Sequence, residues 1–174
     1  MAARPRLIAS PIPCRAIAGL ALLLLILTGC GHVDNTLANA TIAGEPFTLE
    51  LALTDAARMQ GLSDRHSIPA AGGMLFVFPT VEPGDANHSF VMRRCYVPID
   101  LIYLDPTGVV VGTHQMQVEP YDTPEEDLKR YAAGWPYQLV IELAGGTLSK
   151  LHISPGQRVD LRWSTWEDLK KRAQ

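Results

Sequence analysis

Apolar positions recur every second residue in several short stretches of the chain. That period belongs to strands, whose successive side chains point to opposite faces. Phe47, Leu49, Leu51 and Leu53 alternate with Thr48, Glu50 and Ala52, which predicts a half-buried strand. Its partner is expected at Ala40 to Ala43, across a Gly44-Glu45-Pro46 turn. Met74 to Phe78 is a continuous apolar run stopped by Pro79, as in a buried strand. Ile99, Leu101 and Tyr103 alternate up to Asp105-Pro106-Thr107-Gly108, and the chain then enters Val109 to Val111, a hairpin signature. Tyr137, Leu139, Ile141 and Leu143 form a further strand, and Val159, Leu161 and Trp163 a last one.

Helix signals are few. Thr54 and Asp55 suit the N-cap of a short helix stopped at Gly61, and Thr147 to Leu151 has room for one turn. Thr165-Trp166-Glu167-Asp168 resembles a capping box opening a charged terminal helix. The segment from Gln117 to Trp135 reads as a surface excursion, acidic from Glu125 to Asp127. The expected fold is mainly β, a compact barrel- or sandwich-like domain with one or two short helices. The pattern argues against a dinucleotide-binding fold, because no strand leads through a Gly-rich turn into a long helix.

The N-terminus departs from this pattern. Arg4, Arg6 and Arg15 precede an almost pure Ala/Leu/Ile run from Ala16 to Leu27, about the length of a secretory h-region and short for a membrane span. It ends in Leu27-Thr28-Gly29-Cys30, which resembles the lipobox of bacterial lipoproteins. The resemblance implies cleavage before Cys30 and lipidation of its sulfur. The organisation expected is a signal peptide over 1–29, a tether over 30–40, one β-rich domain over 41–163 and a helical tail over 164–174. The membrane partner is then reached through acyl chains. Gly31, rather than Asp, follows the cysteine, and by resemblance to bacterial sorting patterns this leans toward the periplasmic face of the outer membrane over the inner membrane.

Charge narrows the function classes. Three of the 15 basic residues lie in the leader, so the remaining 12 face 18 acidic ones in the mature part. That acidic balance argues against nucleic acid as a partner, which demands a basic footprint. Of the three cysteines, Cys14 lies in the leader and Cys30 is the lipidation site, which leaves Cys95 with no partner for an internal disulfide.

Four blocks of the mature part resemble the domain-of-unknown-function 192 family. They are Arg58-x-x-Gly61-Leu62; Gly73-Met74-Leu75-Phe76-x-Phe78; Phe90-x-Met92-Arg93 with Val97-Pro98-Ile99-Asp100; and Tyr137-x-Leu139-Val140-x-Glu142-Leu143 with Gly156-x-x-Val159. The resemblance covers Thr41 to Leu161. It implies a compact, mainly β domain, often exported, with no established reaction. Ser63 stands where the family usually has Met, and Val91, Arg93, Arg94 and Cys95 replace parts of its usual Phe-Trp-Met-Lys-Asn-Thr. Gln157 and His152 replace a usual Asp and Gly.

Candidate chemistry centres on Arg58, Asp64 and Arg65 with Asp100 and Glu142. Carboxylates among apolar strand neighbours need partners, and arginine pairs with them bidentately. One reading is an internal network that fixes the fold. Another is a polar cleft, with Arg58, Arg93, Asp100 and Glu142 as ligand-binding candidates, in which an arginine grips an anionic or sugar-like ligand. A third places Asp100 and Glu142 on either side of a glycosidic bond in an envelope hydrolase. Cys95 with His88 or His114 as base is weighed against a small buried hydrophobe. The five histidines show no zinc spacing, and His114-Gln115-Met116 reads as a strand end and a core methionine rather than a copper site. No metal or cofactor is expected. These features favour a lipid-anchored binding or accessory module, whose partner is an unknown small ligand or envelope protein. A hydrolase, and a structural lipoprotein docking through its acidic excursion, are the alternatives.

Overall fold

The computed structural model describes residues 36–161 and 163–174, without the side chains of 163–167. Cys14, the leader, Cys30 and the first half of the tether lie outside these residues.

Seven strands form one sheet: β1 (Leu37–Ile42), β2 (Glu45–Ala52), β3 (Gly72–Glu82), β4 (Ile99–Leu104), β5 (Val110–Met116), β6 (Tyr137–Ala144) and β7 (Asp160–Leu161). Their order is β5-β4-β6-β3-β2-β1-β7. All pairs are antiparallel except β2 with β3. A parallel pair needs a crossover, supplied here by helix α1 (Asp55–Gln60) and the loop after it. The sheet curls into a half-barrel, and its two ends are bridged. Leu161 pairs with Ala40, while the Val110 N–H donates to the Gln157 carbonyl at 2.8 Å. Helices α2 (Thr147–Leu151) and α3 (Trp163–Arg172) complete the fold. None of the described helices is long and apolar enough to cross a membrane.

The alternation read from the sequence is present, but β3, β4 and β6 are buried on both faces. Leu49, Leu75, Ile102, Leu139, Ile141 and Leu143 pack on one face, with Leu169 of α3 against them. Met74, Phe76, Leu101, Tyr103 and Val140 pack on the other, covered by Leu62, Met92 and by Tyr131 and Ala133 of the excursion.

Several boundaries differ from expectation. β2 begins at Glu45, so Glu45 and Pro46, expected in a turn, pair with Ile42 and Thr41. β1 begins at Leu37, inside the segment expected to be a tether, because Ala38, Ala40 and Ile42 alternate inward against β2. β3 does not stop at Pro79. The register slips between Val77 and Glu82, and the Gln138 side-chain amide donates to the Phe78 and Pro79 carbonyls at 3.2 and 3.3 Å, replacing ladder bonds lost at the slip. The last strand is only Asp160–Leu161, and Trp163 opens α3 instead of extending the strand.

Candidate functional site

The site is built where α1 ends. The Thr54 hydroxyl caps α1 by accepting from the Ala57 N–H at 3.2 Å. Gly61 closes the helix at φ +50°, and a Cβ there would lie 3.3 Å from both Glu142 Oε2 and the Phe76 ring. This turn aims the Leu62 N–H at Glu142 Oε2, at 3.3 Å. On the far side of Glu142, β3 approaches so closely that a Cβ on Gly73 would stand 2.2 Å from the Glu142 carbonyl.

Glu142 is 5% exposed, yet it lines a cleft of about 250 Å³. Its second oxygen, Oε1, has no hydrogen-bond partner among the described residues and is not sealed from the cleft. Desolvation pushes its carboxyl up to about 7, opposed by the Leu62 N–H and by the charge of Arg65. Phe78, Phe90 and Tyr137 line the cleft as aromatic groups, and Asn87, Ser89 and Ser63 add small polar ones. Glu82 and His88 complete the rim. His88 Nδ1 lies 2.8 Å from Asp85 and its Nε2 3.6 Å from Glu82. The Tyr137 hydroxyl donates to the His88 carbonyl at 3.0 Å.

Of the four ligand-binding candidates, Arg58, Arg93 and Glu142 meet at this cleft, and Asp100 does not. Leu101 pairs with Glu142 and Asp100 with Leu143, and paired residues share a face, so the two carboxylates point to opposite sides of the sheet. They cannot flank one bond, and the two-carboxylate hydrolase has no geometry here. Asp100 instead accepts from the Leu148 N–H at 2.7 Å and satisfies the start of α2.

Arg58 is not placed as an anion grip. Its side chain is 8% exposed and lies over the Phe78 ring at 5.3 Å. One terminal nitrogen donates to the Leu53 and Val77 carbonyls, at 2.9 and 2.8 Å. The other donates to Asp55 and to the Gln174 carbonyl. Four of its five N–H donors are therefore spent on holding α1, β3 and the end of α3 together. Arg93 reaches the rim, where its Nε donates to Glu125 at 2.7 Å and its Nη1 to the Met59 carbonyl at 3.3 Å. That bond to Glu125 holds the guanidinium above its ordinary value. The excursion thus ties itself to the cleft through Glu125, which also lies 3.6 Å from Arg130.

The remaining members of the expected network pair elsewhere. Arg65 holds Glu50 bidentately at 2.5 and 2.7 Å, and Arg94 donates to Asp64 at 2.6 Å. Cys95 is 6% exposed at the cleft wall, and burial beside Glu142 pushes its thiol up to about 11. A thiol with so little thiolate is the buried hydrophobe rather than a nucleophile. His114 is held by the Ala132 carbonyl at 2.7 Å, and Met116 is fully buried in the core. Among the described residues no three His, Cys, Asp or Glu side chains are placed to hold a metal.

Residue-level reasoning did not anticipate the aromatic wall or the Glu82–His88–Asp85 group. A signal for the wall was present, since Phe78, Phe90 and Tyr137 all stand in the resembling blocks. All four blocks supply lining: Arg58, Gly61 and Leu62 from the first, Phe78 from the second, Phe90 and Arg93 from the third, Tyr137 and Glu142 from the fourth.

Fold and site together define a curled β half-barrel with one aromatic cleft closed at its base by a buried acid. The chain belongs to the domain-of-unknown-function 192 family, described as an uncharacterised ACR, whose model matches residues 38–161. A Sinorhizobium meliloti 1021 structure, provisionally assigned as a transcription regulator, is similar at 28% identity and a TM-score of 0.58, over 72% of this chain and 91% of that one. A protein of unknown function from Novosphingobium aromaticivorans DSM 12444 is similar at 26% identity and a TM-score of 0.56, over 71% and 83%. No curated protein matches the chain.

Proposed function

We propose that the protein is a lipid-anchored binding module of the bacterial envelope that takes a small polar ligand in the Glu142 cleft. The observation that carries this reading is a 5%-exposed carboxyl with one oxygen bonded to the Leu62 N–H and the other unpartnered toward the cleft. Among the described residues no fully buried side-chain polar atom lacks a partner, so this oxygen is open to the cleft, where water or a polar ligand reaches it. The volume of about 250 Å³ lies below that of a drug-sized site and suits one ring or a short chain. Asp100 lies on the other face of the sheet and the Cys95 thiol is pushed up to about 11, so neither the two-carboxylate pair nor the cysteine expected from the sequence is set for turnover, which supports binding. The relative's regulator assignment is not carried over, because 12 basic against 18 acidic residues in the mature part is the reverse of the balance nucleic acid favours.

Anchoring rests on Cys30 and places the module on the periplasmic side, with the outer membrane favoured by Gly31. Palmitate labelling of the cells tests it: the wild type takes label and Cys30→Ser does not, and equal labelling would remove the anchor. The cleft is tested by adding a water-soluble extract of envelope metabolites to ¹⁵N-labelled protein. The Leu62 and Phe90 amides move in the wild type and stay still in Glu142→Ala. Shifts confined to other surfaces would refute the cleft.

A further inference from the structure

We infer that the ligand group received at the base of the cleft is a cation of the ammonium type, carried on a single ring or short chain; this rests on the cleft being a binding site. The cations lining the cleft already have protein acceptors. Arg58 is spread over two backbone carbonyls, Asp55 and the Gln174 carbonyl, and Arg93 is held by Glu125 and the Met59 carbonyl. His88 sits between Asp85 and Glu82. The unpartnered oxygen belongs to an acid, and Glu82 lines the same cleft. Phe78, Phe90 and Tyr137 line the same cleft, and the Arg58 guanidinium over the Phe78 ring at 5.3 Å shows this aromatic wall packing against a cation. An ammonium brings three donors and no acceptor, matching a cleft whose free base is an acceptor.

Binding then has a proton signature. Below neutral pH the Glu142 carboxyl is mostly protonated; when R–NH₃⁺ arrives, the O–H bond of Glu142 breaks, its proton passes to buffer, and a carboxylate–ammonium pair remains. The other groups whose charge reaches Glu142 are Arg65, the Cys95 thiol and the Tyr103 hydroxyl, and none of the three titrates between pH 5 and 8. His88 and Glu82 face the cleft as well, so Glu142→Gln is needed to separate their share.

Three six-membered-ring probes of one size carry the test: cyclohexylammonium, cyclohexanol and cyclohexanecarboxylate. They are titrated into the full-length protein in detergent by calorimetry, with the Leu62 amide followed by NMR. The cation is expected to bind at least about tenfold tighter than either other probe at pH 8. Its affinity should fall by up to about tenfold per pH unit below 7, with nearly one proton released per cation near pH 6. Glu142→Gln keeps the shape and should lose the preference and most of the slope. If cyclohexanol or the carboxylate binds as well as the cation and moves Leu62, the cleft stands and the ammonium inference falls. A cation affinity that is flat in pH, or unchanged in Glu142→Gln, also overturns it. If none of the probes moves Leu62, the ammonium assignment is overturned; the extract experiment then decides the cleft itself.

Discussion

Glu142→Gln offers the sharpest test of the physical reasoning, because it can be read without any ligand. The native carboxyl sits near 7 against an ordinary value of 4.5, so between these the native state holds a proton that the unfolded chain has released. Stability must therefore fall as pH rises through that window, with the full loss reached above about 7. A shift of this size corresponds to about 3 kcal/mol. Glutamine keeps an oxygen for the Leu62 N–H and fills the same volume, but it has no charge to desolvate. The variant should consequently match the wild type at pH 4.5 and exceed it by about 3 kcal/mol at pH 8. In a domain of this size that is roughly 10 °C in Tm. Urea unfolding at half-unit steps from pH 4.5 to 8 reads the difference directly. Ionisable groups that do not touch Glu142 contribute equally to the two proteins and cancel. Parallel profiles would show that the cleft hydrates Glu142 well enough to erase the burial penalty, and would refute the account of the site given above.

Other outcomes follow from the same contacts. Asp100→Ala should cost about 1–3 kcal/mol by orphaning the Leu148 N–H, while leaving the chemical shift of the Leu62 amide in place, since Asp100 faces the opposite side of the sheet. Arg58→Lys should destabilise nearly as much as Arg58→Ala, by about 2–4 kcal/mol in denaturant melts, because one ammonium nitrogen cannot stand in for two terminal nitrogens that serve four acceptors. Cys95 should react with iodoacetamide at pH 8 at least about 100-fold more slowly in the native protein than in denaturant, as followed by mass spectrometry of its peptide. Glu125→Gln should release Arg93 and make the excursion more susceptible to proteolysis, an effect mimicked in the wild type by high salt.

Much of the architecture was legible because each strand carries its own signal. The alternation at Phe47–Leu53, the Asp105–Gly108 turn and the Thr54–Gly61 helix signals appear in the structure at or near the positions the sequence predicts. Pro79 misled because a proline ends a ladder bond and not necessarily a strand, and here the Gln138 side chain takes over. The site was legible only in part, for a reason that lies in the burial of the sheet. Where one face of a strand is wet, hydrophobic alternation fixes which carboxylate points inward. In β4 and β6 both faces are buried, so Asp100 and Glu142 each appear as an acid among apolar neighbours, and nothing local says whether they share a side. Parity is set by the long-range register that pairs Leu101 with Glu142, and that register has no local signature. The same register decides which acid lines the cleft and which lies at the start of α2. Asp100 lies on the face where α2 begins and finds a helix N–H waiting for it. Glu142 lies on the face where α1 ends in Gly61, and that turn offers one N–H for two oxygens. Each acid accepts a single N–H through one oxygen; what separates them is that Glu142 lines the cleft with Phe78, Phe90 and Tyr137 while Asp100 does not, and the functional reading rests on that difference.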